Sequence, residues 1–225
     1  MIIRKKFNVE SAHIVRNCTS ERCSHSIHGH SAVIEVFLES SQLDNAQMVY
    51  DFGLMKGTIK QFIDGMDHCY ILCQKDDKEF KEFIKKSCDR WIELPCNPSA
   101  EMLSVFIFNY IEQILSLTKM NNGESGVTVK AVRYHETATG YAECGKWDAV
   151  NLWKPDWNVT FSKGVAKDFG QDLIHVFAGE IVENPTIEQQ INLNERTIEP
   201  MKEVEEEDEV EEEDEVDFFE DKTNK

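Results

Sequence analysis

No apolar run in this chain approaches the ~20 residues that a helix needs to cross a bilayer. The opening residues, "MIIRKKFNVESAHIV", carry charge without the roughly 7–15-residue apolar stretch of an export signal behind it. Basic clusters are missing as well. The formal net charge over 225 residues is -18, and 14 of the 42 acidic side chains lie between Glu203 and Asp221, where no Lys or Arg occurs. Setting aside that segment with Lys202, Lys222 and Lys225 leaves 28 acidic and 21 basic residues over 1–201, a net of -7. That is an ordinary soluble surface with nothing to neutralise a phosphate backbone, so neither nucleic acid nor membrane is expected as a partner. The seven cysteines include no CxxC pair, which argues against a Cys-only zinc knuckle. Their odd number does not describe a secreted disulfide framework, and a reducing cytoplasm is the expected compartment.

What is present reads as one domain with an appendage. Residues 3–12 and 31–39 read as strands, the second alternating around Val33, Glu35 and Phe37. In "DFGLMKGTIKQFIDGM", Phe52, Met55, Ile59, Phe62 and Ile63 fall at helical spacing, and "KDDKEFKEFIKKS" is a second amphipathic helix. "NPSAEMLSVFIFNYIEQILSLTK" predicts a long, largely buried helix with Asn97 as N-cap and Pro98 at the first helical position. "GVTVKAVRYHE" alternates as a strand and "TGYAECGKWDAV" more weakly so. Strands, then helices, then strands describe an α+β domain with an antiparallel sheet and helices on one face. Three regions follow: a domain over 1–150, an extension over 151–182 packed on it or on a neighbour, and a polar linker with an acidic tail over 183–225. The tail repeats "EVEEED" with Val204, Val210 and Val216 at its period, and so much like charge is expected to stay disordered. Its "DFFED" end leaves a docking role open, with no partner identified.

"RCSHSIHGHS", Arg22–Ser31, gathers three of the seven histidines. In an extended chain His28 and His30 point to the same side, about 6–7 Å apart, and Gly29 lets another backbone approach between them. A lone HxH is more often a surface coincidence or a satisfied core pair. Here a third histidine, His13, closes the first strand, and pairing of the first two strands carries it toward His28 and His30. Three neutral imidazoles with a fourth position open describe a catalytic Zn²⁺ site.

"ESAHIV…CSHSIHGHS", "MVYDFGLMK", "MDHCYIL", "LPCNPSAE" and "YHETATGYAE" together resemble, in order and spacing, the 6-pyruvoyl-tetrahydropterin synthase family. Within it they are similar to the bacterial 6-carboxy-tetrahydropterin synthases of 7-deazaguanine (queuosine) biosynthesis. The resemblance covers about residues 2–148. It implies the tunnelling fold (T-fold), a four-stranded antiparallel sheet with helices packed on one face. It also implies assembly of three subunits into a β-barrel, with two barrels stacked into a homohexamer.

The resemblance further implies roles. His13, His28 and His30 match the zinc triad, and Cys23 the catalytic proton acceptor. His68 matches the acid–base histidine, polarised by Asp67. Glu136 matches the glutamate that anchors the pterin ring and is counted with the relay. Because the family's sites lie between subunits, Glu136 is expected from a different chain than the zinc ligands. The offset between cysteine and HGH varies in the family, so Ser24, Cys18 and Glu21 stand as alternatives to Cys23, and His25 is an extra histidine nearby. The remaining cysteines, Cys69, Cys73, Cys88, Cys96 and Cys144, are expected to be small packing residues.

The implied substrate is 7,8-dihydroneopterin triphosphate, whose vicinal hydroxyls suit a zinc Lewis acid. A thiolate base needs cationic or metal neighbours. Triphosphate is eliminated, and in the carboxy branch acetaldehyde leaves, giving 6-carboxytetrahydropterin in a carbon–carbon lyase reaction. The alternative is a 6-pyruvoyl-tetrahydropterin synthase, a phosphorus–oxygen lyase on the same substrate. A non-enzymatic interaction protein would be marked by loss of Cys23, His68 or Glu136, and all three are present.

Overall fold

The computed structural model describes residues 1–185 and residue 189; the acidic tail lies outside the described residues. Two long strands come first, β1 (Ile2–His13) and β2 (His28–Glu39), joined through one helical turn, α1 (Glu21–Ser24). They pair antiparallel along their whole length, with Ile2 opposite Glu39 and His13 opposite His28. Next come α2 (Thr58–Asp64), β3 (Cys69–Cys73), α3 (Lys78–Ser87), β4 (Trp91–Leu94) and α4 (Ala100–Ser116). Then follow β5 (Thr118–Lys119), β6 (Thr128–Thr137), β7 (Gly140–Gly145) and α5 (Lys146–Leu152). The last described segment adds β8 (Thr160–Phe161), α6 (Lys163–Ala166), α7 (Gln171–Phe177) and β9 (Val182–Glu183).

One sheet holds seven strands in the order β7-β6-β2-β1-β3-β4-β8, and β5 and β9 form a separate parallel pair. The four-stranded antiparallel sheet expected from sequence is therefore only part of a larger, mixed one. β7, β6, β2 and β1 are antiparallel neighbours, whereas β3 joins β1 in parallel and β4 joins β3 in parallel. Every residue of β3, "CYILC", is buried, so it shows none of the alternation by which a half-exposed strand is recognised.

The helices do not all lie on one face. Phe7, Val9, Ile34, Val36, Leu38, Ile71, Ile92 and Val132 point to the side covered by α2 and α4 and form the main core. The alternate residues Tyr70 and Leu72, with Ile14, pack on the opposite side under Ile84 of α3. There Lys81 and Lys85 of α3 reach Glu93 of β4 at 3.0 and 2.5 Å. α3 starts where Asp77 accepts the amides of Glu79 and Phe80, and Lys85 and Lys86 sit at its negative end.

α4 is capped by Ser99, whose hydroxyl accepts the Met102 amide, and not by Asn97 as the sequence suggested. Asn97 is committed elsewhere. Its side chain accepts the Arg16 amide at 3.0 Å and donates to the Arg16 carbonyl at 2.7 Å. The segment beyond residue 150 lies against the main core. Trp153, Trp157, Phe161 and Phe177 pack around Phe62, Phe106 and Tyr110, and β8 pairs with β4. Among the described residues no helix is long and apolar enough to cross a membrane.

Candidate active site

The β1–β2 register brings the three histidines together. His13 sits opposite His28, and His30 opposite Ser11, so all three rings fall on the main-core face at one end of the sheet. Ring centroids lie 4.7, 5.3 and 5.2 Å apart, and one nitrogen from each ring falls within 4.8 Å of the others. A Cβ on Gly29 would stand 3.0 Å from the Ser11 carbonyl, so glycine lets the two strands close here.

Two of these nitrogens, His13 Nε2 and His30 Nε2, are buried without a hydrogen-bond partner. Orphaned buried nitrogens are costly unless something occupies the point at which they aim. His28 Nδ1–H donates to the Ser26 carbonyl at 3.0 Å, which leaves Nε2 as its ring nitrogen available to a ligand. Burial, and then the two neighbouring imidazoles, push His13 down to about 4, against a hydrogen bond to the Pro98 backbone. At neutral pH His13 is therefore an uncharged ring with a lone pair to give. Three imidazoles this close, two of them with buried nitrogens that lack a partner, fit a Zn²⁺ ion.

Glu136 joins this cluster from the same chain. Its Oε1 lies 3.4 Å from His13 Nε2 and 3.6 Å from His30 Nε2. The sequence reading had it reaching the site from another chain. Register explains the difference: Tyr134 pairs with Ile34, so Glu136, two residues on, shares the face of the histidines.

The loop carrying Cys23 is anchored, not loose. Val15 N–H donates to the Cys23 carbonyl at 2.9 Å, and Arg16 bridges Asp76 and the Ser24 carbonyl. Cys23 is half-buried. Ser24 is buried; its hydroxyl donates to the Ser20 carbonyl and meets His25 Nδ1, both at 2.9 Å. Ser24 and His25 are thus engaged with each other. Cys18 and Glu21 lie in the same connection, and Cys18 donates to the Ser20 carbonyl. The bracing of this loop and of His13 by Asn97, Arg16 and Pro98 carries no signal in the sequence, because most of these contacts end on backbone atoms.

Asp67 and His68 form a pair of their own. His68 Nδ1 is 2.8 Å from Asp67 Oδ2, and Asp67 Oδ1 accepts the Glu10 amide at 2.7 Å. Burial pushes the Asp67 carboxyl up, but the Glu10 amide and His68 outweigh it and hold the group below its usual value. The His68 amide donates to the Glu10 carbonyl, and its φ is 55°, a left-handed conformation rare outside glycine.

This pair is not in the histidine cluster. It opens on a groove of about 640 Å³ lined by Glu10, Ala12, Tyr70, Ile84 and Arg90, beside α3. Ala12, Tyr70 and Ile84 belong to the second core, on the opposite face of the sheet from the three imidazoles. Of the other cysteines, Cys69, Cys73, Cys96 and Cys144 are buried, and burial pushes Cys69, Cys96 and Cys144 up to about 12, so they stay protonated.

Residues 2–146 match the family model described as 6-pyruvoyl tetrahydropterin synthase. The chain belongs to that family. It is 38% identical over 183 residues to a Helicobacter pylori protein named 6-carboxy-5,6,7,8-tetrahydropterin synthase, covering 77% of this chain and 92% of the relative. An Aquifex aeolicus protein of the same name is 34% identical over 121 residues, 52% of this chain and 73% of its own. Since 77% of the chain exceeds the family match, the Helicobacter likeness runs beyond residue 146, further than the sequence resemblance reached. A crystal structure of an uncharacterized Wolinella succinogenes protein shares the fold, with a TM-score of 0.52 at 21% identity over 65% of this chain and 98% of that one.

Proposed function

We propose that this protein is a zinc-dependent 6-carboxy-5,6,7,8-tetrahydropterin synthase acting on 7,8-dihydroneopterin triphosphate in 7-deazaguanine biosynthesis. The observation that carries the reading is the set of three clustered imidazoles, two of them with buried, unpartnered nitrogens, in a chain 38% identical to a relative of that name. His13, His28 and His30 would hold the metal, which supplies a Lewis acid for the hydroxyls of the substrate side chain. Cys23 takes a proton from that side chain. His68 exchanges a second one through Nε2, because Asp67 holds Nδ1–H. Glu136 anchors the pterin ring by hydrogen bonds.

The position of the Asp67–His68 pair, on the other face of the sheet, favours an assembly in which one subunit's pair completes the site of another. A homohexamer built from two barrel-forming trimers meets that need, and barrel closure would also cover the exposed edge strand β7. Cytoplasmic residence goes with the thiols and the substrate.

The test is direct. Purified protein with about one Zn²⁺ per chain, given 7,8-dihydroneopterin triphosphate, should release triphosphate and acetaldehyde and form 6-carboxytetrahydropterin, identified by mass. The family model's own name favours a second reading, and a product retaining the three-carbon side chain as a pyruvoyl group would establish it.

A further inference from the structure

We infer that Arg90 and the segment 164–170 form a clasp that fixes the backbone beneath the Asp67–His68 pair, making Arg90 and Asp168 positioning residues; this rests on reading His68 as the acid–base group. Arg90 stands just before β4 and spends its whole guanidinium on two pieces of chain. Nε donates to the Asp67 carbonyl at 2.9 Å, and Nη2 donates to the carbonyls of Asp64 and Gly65, each at 3.2 Å. Nη1 turns the other way, to the Gly164 carbonyl at 3.0 Å and Asp168 Oδ2 at 2.6 Å. Only a rigid, five-donor fork can serve such a set; an ammonium has three donors on a flexible stem.

Two further contacts join the same segments. The Phe169 ring lies so close to Gly65 that a Cβ there would stand 2.6 Å from its Cε1. The Gly170 amide donates to Gln61 Oε1 at 3.2 Å. On the far side of the clasp, a Cβ on Gly164 would meet the Asp89 carbonyl at 2.4 Å, so that approach also needs glycine. Segment 61–67 is thus held at two places by residues about a hundred positions later, and at Asp64, Gly65 and Asp67 by Arg90, which itself reaches that later segment.

His68 has reason to need this grip. Its side chain is 75% exposed, so no packing holds the imidazole, and its location is inherited from the backbone. That backbone is in a left-handed conformation, which is strained for a residue other than glycine and persists only where the surroundings over-determine it. β1 supplies one constraint, through the Glu10 amide and carbonyl. The clasp supplies the other, from chain beyond residue 146, where the family match ends.

The experiment uses the full-length zinc protein and 7,8-dihydroneopterin triphosphate, with Arg90→Lys, Asp168→Ala, Asp168→Asn and Phe169→Leu. Arg90→Lys should lower kcat on the order of 10–10²-fold, with KM within about twofold and zinc content unchanged, since small displacements of an acid–base group cost rate more than binding. Amide exchange over residues 65–68 should speed up roughly tenfold while β1 and β2 keep their protection. Asp168→Ala and Phe169→Leu should shift both readouts in the same direction, and Asp168→Asn, which still accepts from Arg90, should restore them. Unchanged exchange at 65–68 in Arg90→Lys and Phe169→Leu would overturn the clasp. So would a loss of zinc and a rise in exchange across the whole sheet, which mark a merely structural role. Absence of turnover in the unsubstituted protein would instead overturn the proposed function, and the exchange data would still decide whether the clasp exists.

Discussion

Asp67 holds two partners at once, with Oδ2 2.8 Å from His68 Nδ1 and Oδ1 accepting the Glu10 amide at 2.7 Å. A carboxylate can only accept, so Nδ1 carries the hydrogen, and Nε2 is the nitrogen left to exchange protons in the proposed relay. Asp67→Asn should keep the fold and zinc but lower kcat by ~10²-fold or more, because the amide can turn its NH₂ toward the ring and favour the wrong tautomer. Steady-state rates together with metal analysis check this. A variant as active as the parent would remove Asp67 from the relay.

The two halves of the proposed site lie on opposite faces of one sheet, which predicts complementation between chains. His28→Ala and His68→Ala should each be inactive alone. Dissociated, mixed and reassembled, they should recover about a quarter of the parent activity, because random pairing leaves that share of sites with both halves intact. No recovery from verified mixed oligomers would show that one chain supplies the whole site.

How much of this could be read from residues alone depended on the kind of contact. His28 and His30 were legible because strand periodicity puts them on one side, and His13 because the first two strands pair end to end. β3 was not legible as a strand, since a fully buried parallel strand does not alternate. Asn97 was read as a cap because Asn before Pro commonly is one, yet tertiary structure turned its amide onto Arg16 and gave the cap to Ser99. Arg90 carries no signal at all. Four of its five acceptors are backbone carbonyls, which any sequence supplies, so nothing in the string marks its role.

Glu35 makes the stability of the protein depend on pH. It is 2% exposed on the face of the sheet away from the histidines, with Arg4 at 2.7 Å, His135 at 3.1 Å and Lys6 at 3.4 Å. Burial pushes its carboxyl up, but hydrogen bonds from His135 and Lys6 and the Arg4 charge together bring it below its usual 4.5. A carboxylate lowered by folding contributes its stability above the unfolded value and loses it as pH falls through the folded one. The cations are partly exposed, so Glu35→Gln should cost only about 1–2 kcal/mol at pH 7. That difference should fade below about pH 4, as the parent's own carboxylate takes up its proton. Denaturant melts at the two pH values decide it, and a gap that widened in acid would refute the sign.

The base is assigned by comparing two adjacent residues. Ser24 is buried, and its hydroxyl is occupied by the Ser20 carbonyl and His25. Removing it breaks local contacts of the loop but takes away no proton acceptor suited to a carbon acid. Cys23 is half-buried in the same turn, its carbonyl pinned by the Val15 amide, so its thiol is offered from a fixed backbone. A thiolate near a metal is a competent base, whereas a serine hydroxyl needs a base of its own. Cys23→Ala should therefore retain zinc and pterin binding and lose roughly 10²–10⁴ in kcat, the span of one general acid–base group. Ser24→Ala should lose about tenfold at most, through loosening of the turn. If the serine variant were inactive and the cysteine variant active, the four-residue offset before His28 would mark the base, and the proton would pass to Ser24.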